Sequence, residues 1–389
     1  MINNNSSKPL YEQIEEEIKN KILSGELKKG DRVGSHNELS SQYEVSVITV
    51  KKALNNLINN GYLYTRVGKG TYVAEPREES GRKFGEHKTI GLVLNNVNHP
   101  YFSMIMQSIE ERAYELNYTL LLSNSSNKIE KEESQINHFR EIGVDGMIIA
   151  SLSLQYRATP YIQKLHDDNF PYIMISYMHD PQYWFIGTDN EKGAYIATEH
   201  FIKLGYRKIG YVYLGKNNLL TEVRKNGYAR ALMDYDYPYN SKRVFSYADE
   251  KFDTGQNRIK LGYQFGREFA HMDDRPDALL FYGDTTALGF IKYTVEAGIK
   301  VPDDVAVIGY DDIALAGFSP IPLSTVRQPV KKIGRQAVNV IHKRLNNEEV
   351  MNRVIYDPEL VIRETCGGLR ITNKAANLSD IAEEVKIKI

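Results

Sequence analysis

The sequence has a single cysteine, Cys366, among 389 residues. A lone cysteine cannot form an intrachain disulfide, and it cannot build a cysteine-based structural zinc site, which needs at least two thiolates. Such a composition is typical of the reducing cytoplasm. The first eight residues lack the apolar core of a signal peptide, and no stretch approaches the ~18 consecutive apolar residues of a membrane span. We therefore expect a cytoplasmic protein that makes no membrane contact.

Motifs of the common enzyme classes are also missing. The sequence contains no G-x-S-x-G nucleophile elbow, no H-E-x-x-H zinc helix and no G-x-x-x-x-G-K-[ST] phosphate loop. Its nine histidines are scattered without metal-ligand spacing. We therefore expect no catalytic residue, metal or cofactor, and an enzyme is the weakest interpretation of this chain.

Acidic residues are missing from one segment, residues 45–74, although the net charge of the whole chain is only −1. The segment carries Lys51, Lys52, Arg66 and Lys69. An acid-free basic side on a small unit is the electrostatic footprint of a surface that binds a polyanion. A solvated basic surface without a partner is the alternative.

Apolar periodicity predicts three helices and a hairpin before residue 75. Ser35 and Glu38 have the spacing of a capping box at the start of the second helix, and Ser46 is a plausible N-cap of the third. Strands are predicted at residues 62–66 and 71–74. The first helix is marked by apolar residues at every fourth position: Leu10, Ile14, Ile18 and Ile22. The inner face of the third helix is predicted to comprise Val50, Ala53, Leu54, Leu57 and Ile58.

This order of elements is that of a winged helix-turn-helix, whose third helix can enter the major groove of DNA. Phosphates would lie along the basic side of the helix and along the hairpin. The alternative is a three-helix module that contacts protein. The candidate DNA-binding residues are Ser35, Ser46, Val47, Ile48, Thr49, Lys51, Lys52, Arg66, Lys69 and Gly70.

Residues 8–74 resemble a GntR-type DNA-binding domain. The resemblance is carried by the segments PLYEQI, GELKKGD, NELSSQYEVS, TVKKAL and GKGTYV, which keep the family's order and spacing. The family usually has an arginine where this chain has Val47. Arginine can make two hydrogen bonds to guanine O6 and N7, and valine cannot. The resemblance therefore implies the fold and DNA binding, and it does not carry over the family's base preferences.

The rest of the chain alternates short apolar runs with helical patterns. Continuous apolar runs such as Thr89–Leu94 and Tyr172–Ser176 are typical of parallel strands buried on both faces. The pattern then restarts, because residues 208–212 (KIGYV) are similar to residues 88–93 (KTIGLV). We expect a doubly wound α/β domain of two similar lobes, with a ligand cleft between them at the carboxyl ends of the strands.

These patterns predict four segments. Residues 1–75 form the winged helix-turn-helix domain, and residues 76–88, which are charged and contain proline and glycine, form a linker. Residues 89–366 form the two-lobed domain for effector binding and dimerisation. Residues 367–389 form a polar tail, either frayed or folded into a small association helix.

Six ordered blocks in residues 88–366 resemble the effector domain of the lactose/galactose-repressor family, which is periplasmic-binding-protein-like. They include VNHPYF, VDGMIIAS, VIGYDD and LSTVRQP. A GntR-type domain fused to such a sensor resembles the arabinose repressors of bacilli. The resemblance implies a small sugar effector, with L-arabinose as the leading candidate, and a homodimer that pairs through the sensor domain.

Sugar binding requires side chains with planar hydrogen-bonding geometry and aromatic faces. The resemblance implies that Arg224 clasps two hydroxyls, and Asp311, which follows a predicted strand at residues 305–308, would face the cleft. Each candidate also has a purely structural alternative. Arg224 could lie on a solvated helix face, Asp311 could cap a turn, and the rings of Tyr101 and Phe102 could pack in the core. Gly283 stands where the family usually has a ligand-contacting asparagine, so the identity of the effector stays open. The candidate effector-binding residues are Tyr101, Phe102, Asp189, Arg224, Asp284, Asp311 and Gln328.

The sequence thus predicts a transcription regulator, a repressor of sugar-utilisation genes that binds double-stranded operator DNA. We expect a homodimer, because proteins with two-fold symmetry read paired half-sites. One alternative keeps this architecture but senses a purine, a phosphosugar or another metabolite. A second is a solute-binding module that has no operator function.

Overall fold

The computed structural model describes residues 9–59, 62–66, 70–74, 88–150, 158–176, 178, 180–214, 219–247 and 255–369. The internal contacts divide the chain into two units, residues 1–86 and residues 87–389. Most of the predicted linker and the tail from residue 370 onward lie outside the described residues.

The first unit has the predicted winged helix-turn-helix elements and one further strand. In chain order they are α1 (Leu10–Leu23), β1 (Arg32–Gly34), α2 (His36–Tyr43), α3 (Val47–Asn59), β2 (Leu63–Arg66) and β3 (Gly70–Val73). The sheet order is β1-β3-β2, with both pairs antiparallel. The predicted stripe on α1 is confirmed, since Ile14 and Ile18 are buried against Val50 and Leu54 of α3.

Side-chain caps begin both α2 and α3. The Ser35 hydroxyl accepts a hydrogen bond from the Glu38 amide at 3.2 Å, and the Glu38 carboxylate accepts one from the Ser35 amide, which completes the predicted capping box. Glu44 ends α2 in the left-handed conformation. The Ser46 hydroxyl then accepts from the Thr49 amide at 3.1 Å, which confirms Ser46 as the cap of α3.

The second unit alternates strands and helices, as expected for an α/β fold. The elements are β4 (Thr89–Leu94), α4 (Pro100–Glu115), β5 (Thr119–Asn124), α5 (Ile129–Glu141), β6 (Gly146–Ile149), α6 (Pro160–Asp167), β7 (Tyr172–Ser176), β8 (Phe185–Thr188), α7 (Asn190–Lys203), β9 (Ile209–Leu214), α8 (Leu219–Asp234), β10 (Val244–Tyr247), α9 (Gly255–Phe269), β11 (Ala278–Phe281), α10 (Asp284–Ala297), β12 (Ala306–Asp311), α11 (Ala314–Phe318), β13 (Ser324–Arg327), α12 (Val330–Leu345), β14 (Arg353–Tyr356) and β15 (Glu359–Val361).

Two six-stranded sheets form two lobes, which we call the N-lobe and the C-lobe. The N-lobe sheet has the order β14-β8-β7-β6-β4-β5 and is parallel throughout. The C-lobe sheet has the order β10-β9-β11-β12-β13-β15, and among its described strands only β15 runs antiparallel to its neighbour. Each sheet has apolar clusters of buried residues on both of its faces, as the continuous apolar runs predicted.

The chain passes between the lobes at three crossings within the described residues. The first lies between β8 and α7, the second between β13 and α12, and the third between β14 and β15. Helix α12 returns to the N-lobe, where it packs in one cluster with residues of α4. Because β12 runs to Asp311, beyond the predicted residues 305–308, the GYDD block forms the end of a strand rather than a separate loop.

Candidate operator interface and effector cleft

Helix α3 has a buried face and an exposed face. Val50, Ala53, Leu54 and Leu57 are fully or almost fully buried. The opposite face is formed by Ile48, Lys51, Lys52 and Asn55, all of which are exposed. The spacing i, i+3, i+4, i+7 places these four residues along one side of the helix. Four of the five predicted inner positions of the third helix are therefore buried, and Val47, 41% exposed, flanks the exposed face.

Two of the candidate cations also contact tyrosine rings within the first unit. The Lys52 ammonium lies 3.7 Å from the ring centre of Tyr11, and the Arg66 guanidinium lies 5.3 Å from that of Tyr72. Lys51 and Arg66 are exposed at the helix and the hairpin. Gly70 begins β3 with φ of +112°, a conformation that favours glycine. Lys69 lies outside the described residues.

Arg224 on α8 is the centre of a buried polar cluster in the C-lobe. Its Nε donates to Asn190 Oδ1 at 3.0 Å, and its Nη1 donates to the backbone carbonyl of Tyr282. Its Nη2 lies 3.7 Å from Asp311 Oδ1. The guanidinium stacks over the Tyr310 ring at 3.5 Å. Arg224 is only 2% exposed, so the solvated-arginine alternative is wrong.

Asp311 and Gln328 belong to the same cluster. Gln328 Nε2 donates to Asp311 Oδ1 at 2.7 Å, and both residues are buried. Burial raises the pKa of the Asp311 carboxyl, and the nearby Arg224 charge acts in the opposite direction. Asp311 has φ of +109°, an unusual conformation for a residue other than glycine. The sequence therefore identified three side chains that lie together: Arg224, Asp311 and Gln328.

Asp284 and Asp189, two further candidates for effector binding, bond to neighbouring segments of the C-lobe rather than to Arg224. Asp284 is fully buried, and its two oxygens accept from the Ile313 amide at 2.9 Å and from the Thr325 hydroxyl at 2.6 Å. These bonds tie α10 to the segment after β12 and to β13. Asp189 caps α7 by accepting from the Lys192 amide at 2.9 Å. Asp284 therefore fixes the segments around Ile313 and Thr325, and Asp189 fixes the start of α7, beside the Arg224 cluster.

Tyr101 and Phe102 are buried in the first turn of α4, on the N-lobe side. Their rings meet edge to face, with centroids 5.1 Å apart, within the N-lobe core. Burial raises the pKa of the Tyr101 hydroxyl, and the Asp311 charge adds to that increase. Tyr101 thus lies within electrostatic reach of the C-lobe cluster, while core packing accounts for much of both rings.

His99 and Arg258 form a contact between the lobes that sequence reasoning missed. His99 caps α4, where its Nδ1 lies 3.3 Å from the Tyr101 amide, and its Nε2 lies 3.1 Å from Arg258 Nη1 on α9. Burial, Arg258 and Arg224 lower the pKa of His99 to about 3, so the ring is neutral at pH 7. A neutral ring has one acceptor nitrogen, so it cannot accept from both N–H groups at once. The only sequence signal for His99 is its position directly before Pro100, which is typical of a residue that caps a helix.

Among the residues that the structure describes, no group of three or more histidine, cysteine, aspartate or glutamate side chains is arranged to hold a metal ion. No described helix is both long enough and apolar enough to cross a bilayer.

The two units match two family models. Residues 10–73 match bacterial regulatory proteins of the gntR family, and residues 198–366 match the periplasmic binding protein-like domain. The chain therefore joins a domain that matches gntR-family regulators to a periplasmic-binding-protein-like domain. This combination defines a transcription regulator and not an enzyme.

Individual relatives refine this class. The chain is 29% identical over 365 residues to the arabinose metabolism transcriptional repressor of Geobacillus stearothermophilus, covering 92% of this chain and 97% of that protein. It is 28% identical over 280 residues to the HTH-type transcriptional repressor PurR of Photobacterium profundum, covering 72% and 81% respectively. A structure of a LacI family transcriptional regulator from Enterococcus faecium with bound ribose matches with a TM-score of 0.61 at 26% identity, covering 72% of this chain and 98% of that chain.

Proposed function

We propose that this protein represses sugar-utilisation genes by binding operator DNA as a homodimer, and that a sugar in the interlobe cleft controls its affinity for DNA. The observation that carries the sensing part is the buried cluster of Arg224, Asp311 and Gln328, at the carboxyl ends of β12 and β13. Ligands of open α/β sheets bind at this edge. Binding to an operator on the chromosome would place the protein in the cytoplasm.

The chemistry of the cluster suits a polyhydroxylated ligand. Arg224 supplies donors in a fixed fork, Asp311 supplies acceptors, and the Gln328 amide supplies both. Sugar hydroxyls both donate and accept. The rings of Tyr282 and Tyr310, whose centres lie 4.6 Å and 3.5 Å from the Arg224 guanidinium, hold that guanidinium in a fixed orientation. A Cβ placed at Gly283 would make only van der Waals contact with Asp311 Oδ2, at 3.6 Å, so a methyl-sized group fits beside that carboxyl.

The cluster is bonded to two of the three crossings between the lobes. Asn190, which Arg224 contacts, starts α7 directly after the first crossing, and Gln328, which Asp311 contacts, lies in the second. A ligand on Arg224 and Asp311 would therefore act on the segments that set the relative arrangement of the lobes. Differential affinity for two arrangements, typically equivalent to ~1–3 kcal/mol of coupling, is sufficient to change DNA affinity.

The contact between His99 and Arg258 offers the ligand a second set of hydrogen-bond donors, one of them from the N-lobe. In one tautomer Nδ1 accepts from Tyr101, and Nε2–H then faces the Arg258 guanidinium, so two donors oppose each other. A ligand oxygen that lies beside both nitrogens, within hydrogen-bond distance of each, would accept from both. His99 belongs to the N-lobe and Arg258 to the C-lobe, so such an oxygen would hold the two lobes together.

L-arabinose is the leading candidate effector, supported by the similarity to the arabinose metabolism repressor of Geobacillus stearothermophilus. A purine is the second candidate, supported by the similarity of the same domain to PurR of Photobacterium profundum. The two classes differ in chemistry, because a purine is planar and offers few hydroxyl groups. The same architecture could also bind a phosphosugar or another metabolite as its effector.

A thermal-shift panel of pentoses, hexoses, their phosphates and purines tests the sensing part. A ligand that binds the native state stabilises it by mass action, by about 2.7 kcal/mol at a hundredfold excess over its Kd, and so raises the melting temperature. We expect a pentose to produce the shift and Arg224→Ala to abolish it. The control is Arg230→Ala, an exposed arginine on the same helix that pairs with Glu191. A purine or phosphosugar hit would contradict the sugar proposal.

Salt dependence tests the DNA part against the solute-binding alternative. Lysine and arginine contacts to phosphates release counterions, so the logarithm of operator affinity should fall linearly with the logarithm of salt concentration. A slope near zero in a mobility-shift series would contradict operator binding and favour a module that contacts protein.

A further inference from the structure

Two aliphatic side chains at the start of α3 are exposed without a structural reason. Val47 is 41% exposed and Ile48 is 80% exposed, in the first turn of the helix. Because these side chains are exposed, they contribute no hydrophobic stabilisation, and as β-branched residues they lose rotamer freedom in a helix. Neither core packing nor helix propensity therefore accounts for them.

Their position is the part of a helix-turn-helix that meets base edges, since the N-terminal residues of the recognition helix contact the bases. Ile48 lies on the exposed face with Lys51 and Asn55, opposite the buried Val50 and Leu54. Lysines one turn further along this face suit the phosphates that border the groove. In this arrangement Val47 and Ile48, at the start of α3, would face the base edges in the major groove.

An aliphatic group has neither a donor nor an acceptor, so it can recognise only one feature of the major groove. That feature is the C5-methyl group of thymine, which apolar side chains contact. We infer that Val47 and Ile48 read thymine methyl groups in each operator half-site. This inference rests on the DNA-binding role of the first unit and adds a base preference to it.

Replacing thymine by uracil tests this inference directly, because deoxyuridine lacks only the methyl group. Full-length protein would first select its sites from a pool of random duplexes. Each thymine of the selected duplex would then be replaced singly by deoxyuridine, and affinities measured by mobility shift. At the contacted thymine we expect about a fourfold loss, the equivalent of about 0.8 kcal/mol for one buried methyl group. Replacement in both half-sites should cost about fifteenfold.

Substitution of Ile48 provides the second arm. Ile48→Ser removes the aliphatic contact at a highly exposed position, and serine and isoleucine have similar helix propensities, so the melting temperature should stay unchanged. The variant should bind the thymine and uracil duplexes equally. The matched control, Asn55→Ser, changes a polar residue on the same face and should keep the wild-type preference for thymine.

Three results would overturn the inference. The wild type could bind every singly substituted uracil duplex as tightly as the thymine duplex. Ile48→Ser could retain the full preference for thymine, which would assign the methyl contact to another residue. Failure to select any duplex would contradict the DNA-binding function of the chain itself, and so is distinguishable from the first two.

Discussion

Replacing Arg224 by methionine should destabilise the C-lobe in a pH-dependent way. The substitution keeps much of the side-chain volume but removes the hydrogen bonds to Asn190 and Tyr282, and it removes the cation 3.7 Å from Asp311. Removing one partner of a buried ion pair typically costs about 3–5 kcal/mol. Because the Arg224–Asp311 distance is longer than a direct hydrogen bond, we expect the lower end, about 3 kcal/mol.

The pH dependence follows from the Asp311 carboxyl. Burial already raises the pKa of Asp311 in the folded state, and the Arg224 charge opposes that rise. Without Arg224 the pKa rises further. A carboxyl whose pKa is higher in the folded state than in the unfolded state destabilises the fold as pH rises through that folded pKa. The deficit of Arg224→Met should therefore be larger at pH 8 than at pH 5.

Thermal unfolding followed by circular dichroism measures both effects. A loss of about 3 kcal/mol corresponds to a fall in Tm of about 6 °C, taking about 2 °C per kcal/mol for a large domain. Arg224→Met/Asp311→Asn should recover part of the loss, because the asparagine carbonyl still accepts from Gln328 and carries no charge. Arg230→Met, the exposed control on α8, should cost less than about 1 kcal/mol at either pH. A deficit that is equal at pH 5 and pH 8 would refute the electrostatic reasoning.

Three further outcomes are expected. Lys51→Ala should weaken operator binding and reduce the salt slope by about 1 in a mobility-shift series, while effector affinity by calorimetry stays unchanged; the reverse pattern would overturn the domain roles. Ser46→Ala removes the hydroxyl that accepts from Thr49, so it should lower the stability of the first unit by about 1 kcal/mol in denaturant unfolding. His99→Asn keeps an acceptor for the cap of α4 but withdraws the ring from Arg258, so it should weaken effector binding without lowering Tm; an unchanged Kd would exclude His99 from the cleft's response.

Local signals accounted for most of the fold. The four-residue stripe on α1, the Ser35–Glu38 capping box and the continuous apolar runs of β4 and β7 are properties of neighbouring residues, and the structure confirms them. Strand β1 was missed because its three residues show no alternation, and it forms by pairing with β3, nearly forty residues later.

The site was predictable only where a motif marked a strand end. Asp311 and Gln328 lie in such motifs, and Arg224 was identified by resemblance. Asp284 also follows a strand, yet its oxygens bond to Ile313 and Thr325. The sequence could not separate a carboxylate that faces the cleft from one that braces it, because that depends on contacts between distant segments. His99 and Arg258, 159 residues apart, were missed for the same reason.

The three crossings have a consequence for how such a protein can be recombined. The N-lobe takes α12 and its edge strand β14 from the end of the chain, after the C-lobe has been built. Neither lobe is therefore a continuous piece of the gene, and half of the sensor cannot be exchanged by one exchange of DNA segments. The gntR-type domain, by contrast, is encoded in one uninterrupted stretch. An intact sensor can therefore be joined to a different DNA-binding domain by one exchange of DNA segments, whereas replacing one lobe requires more than one exchange.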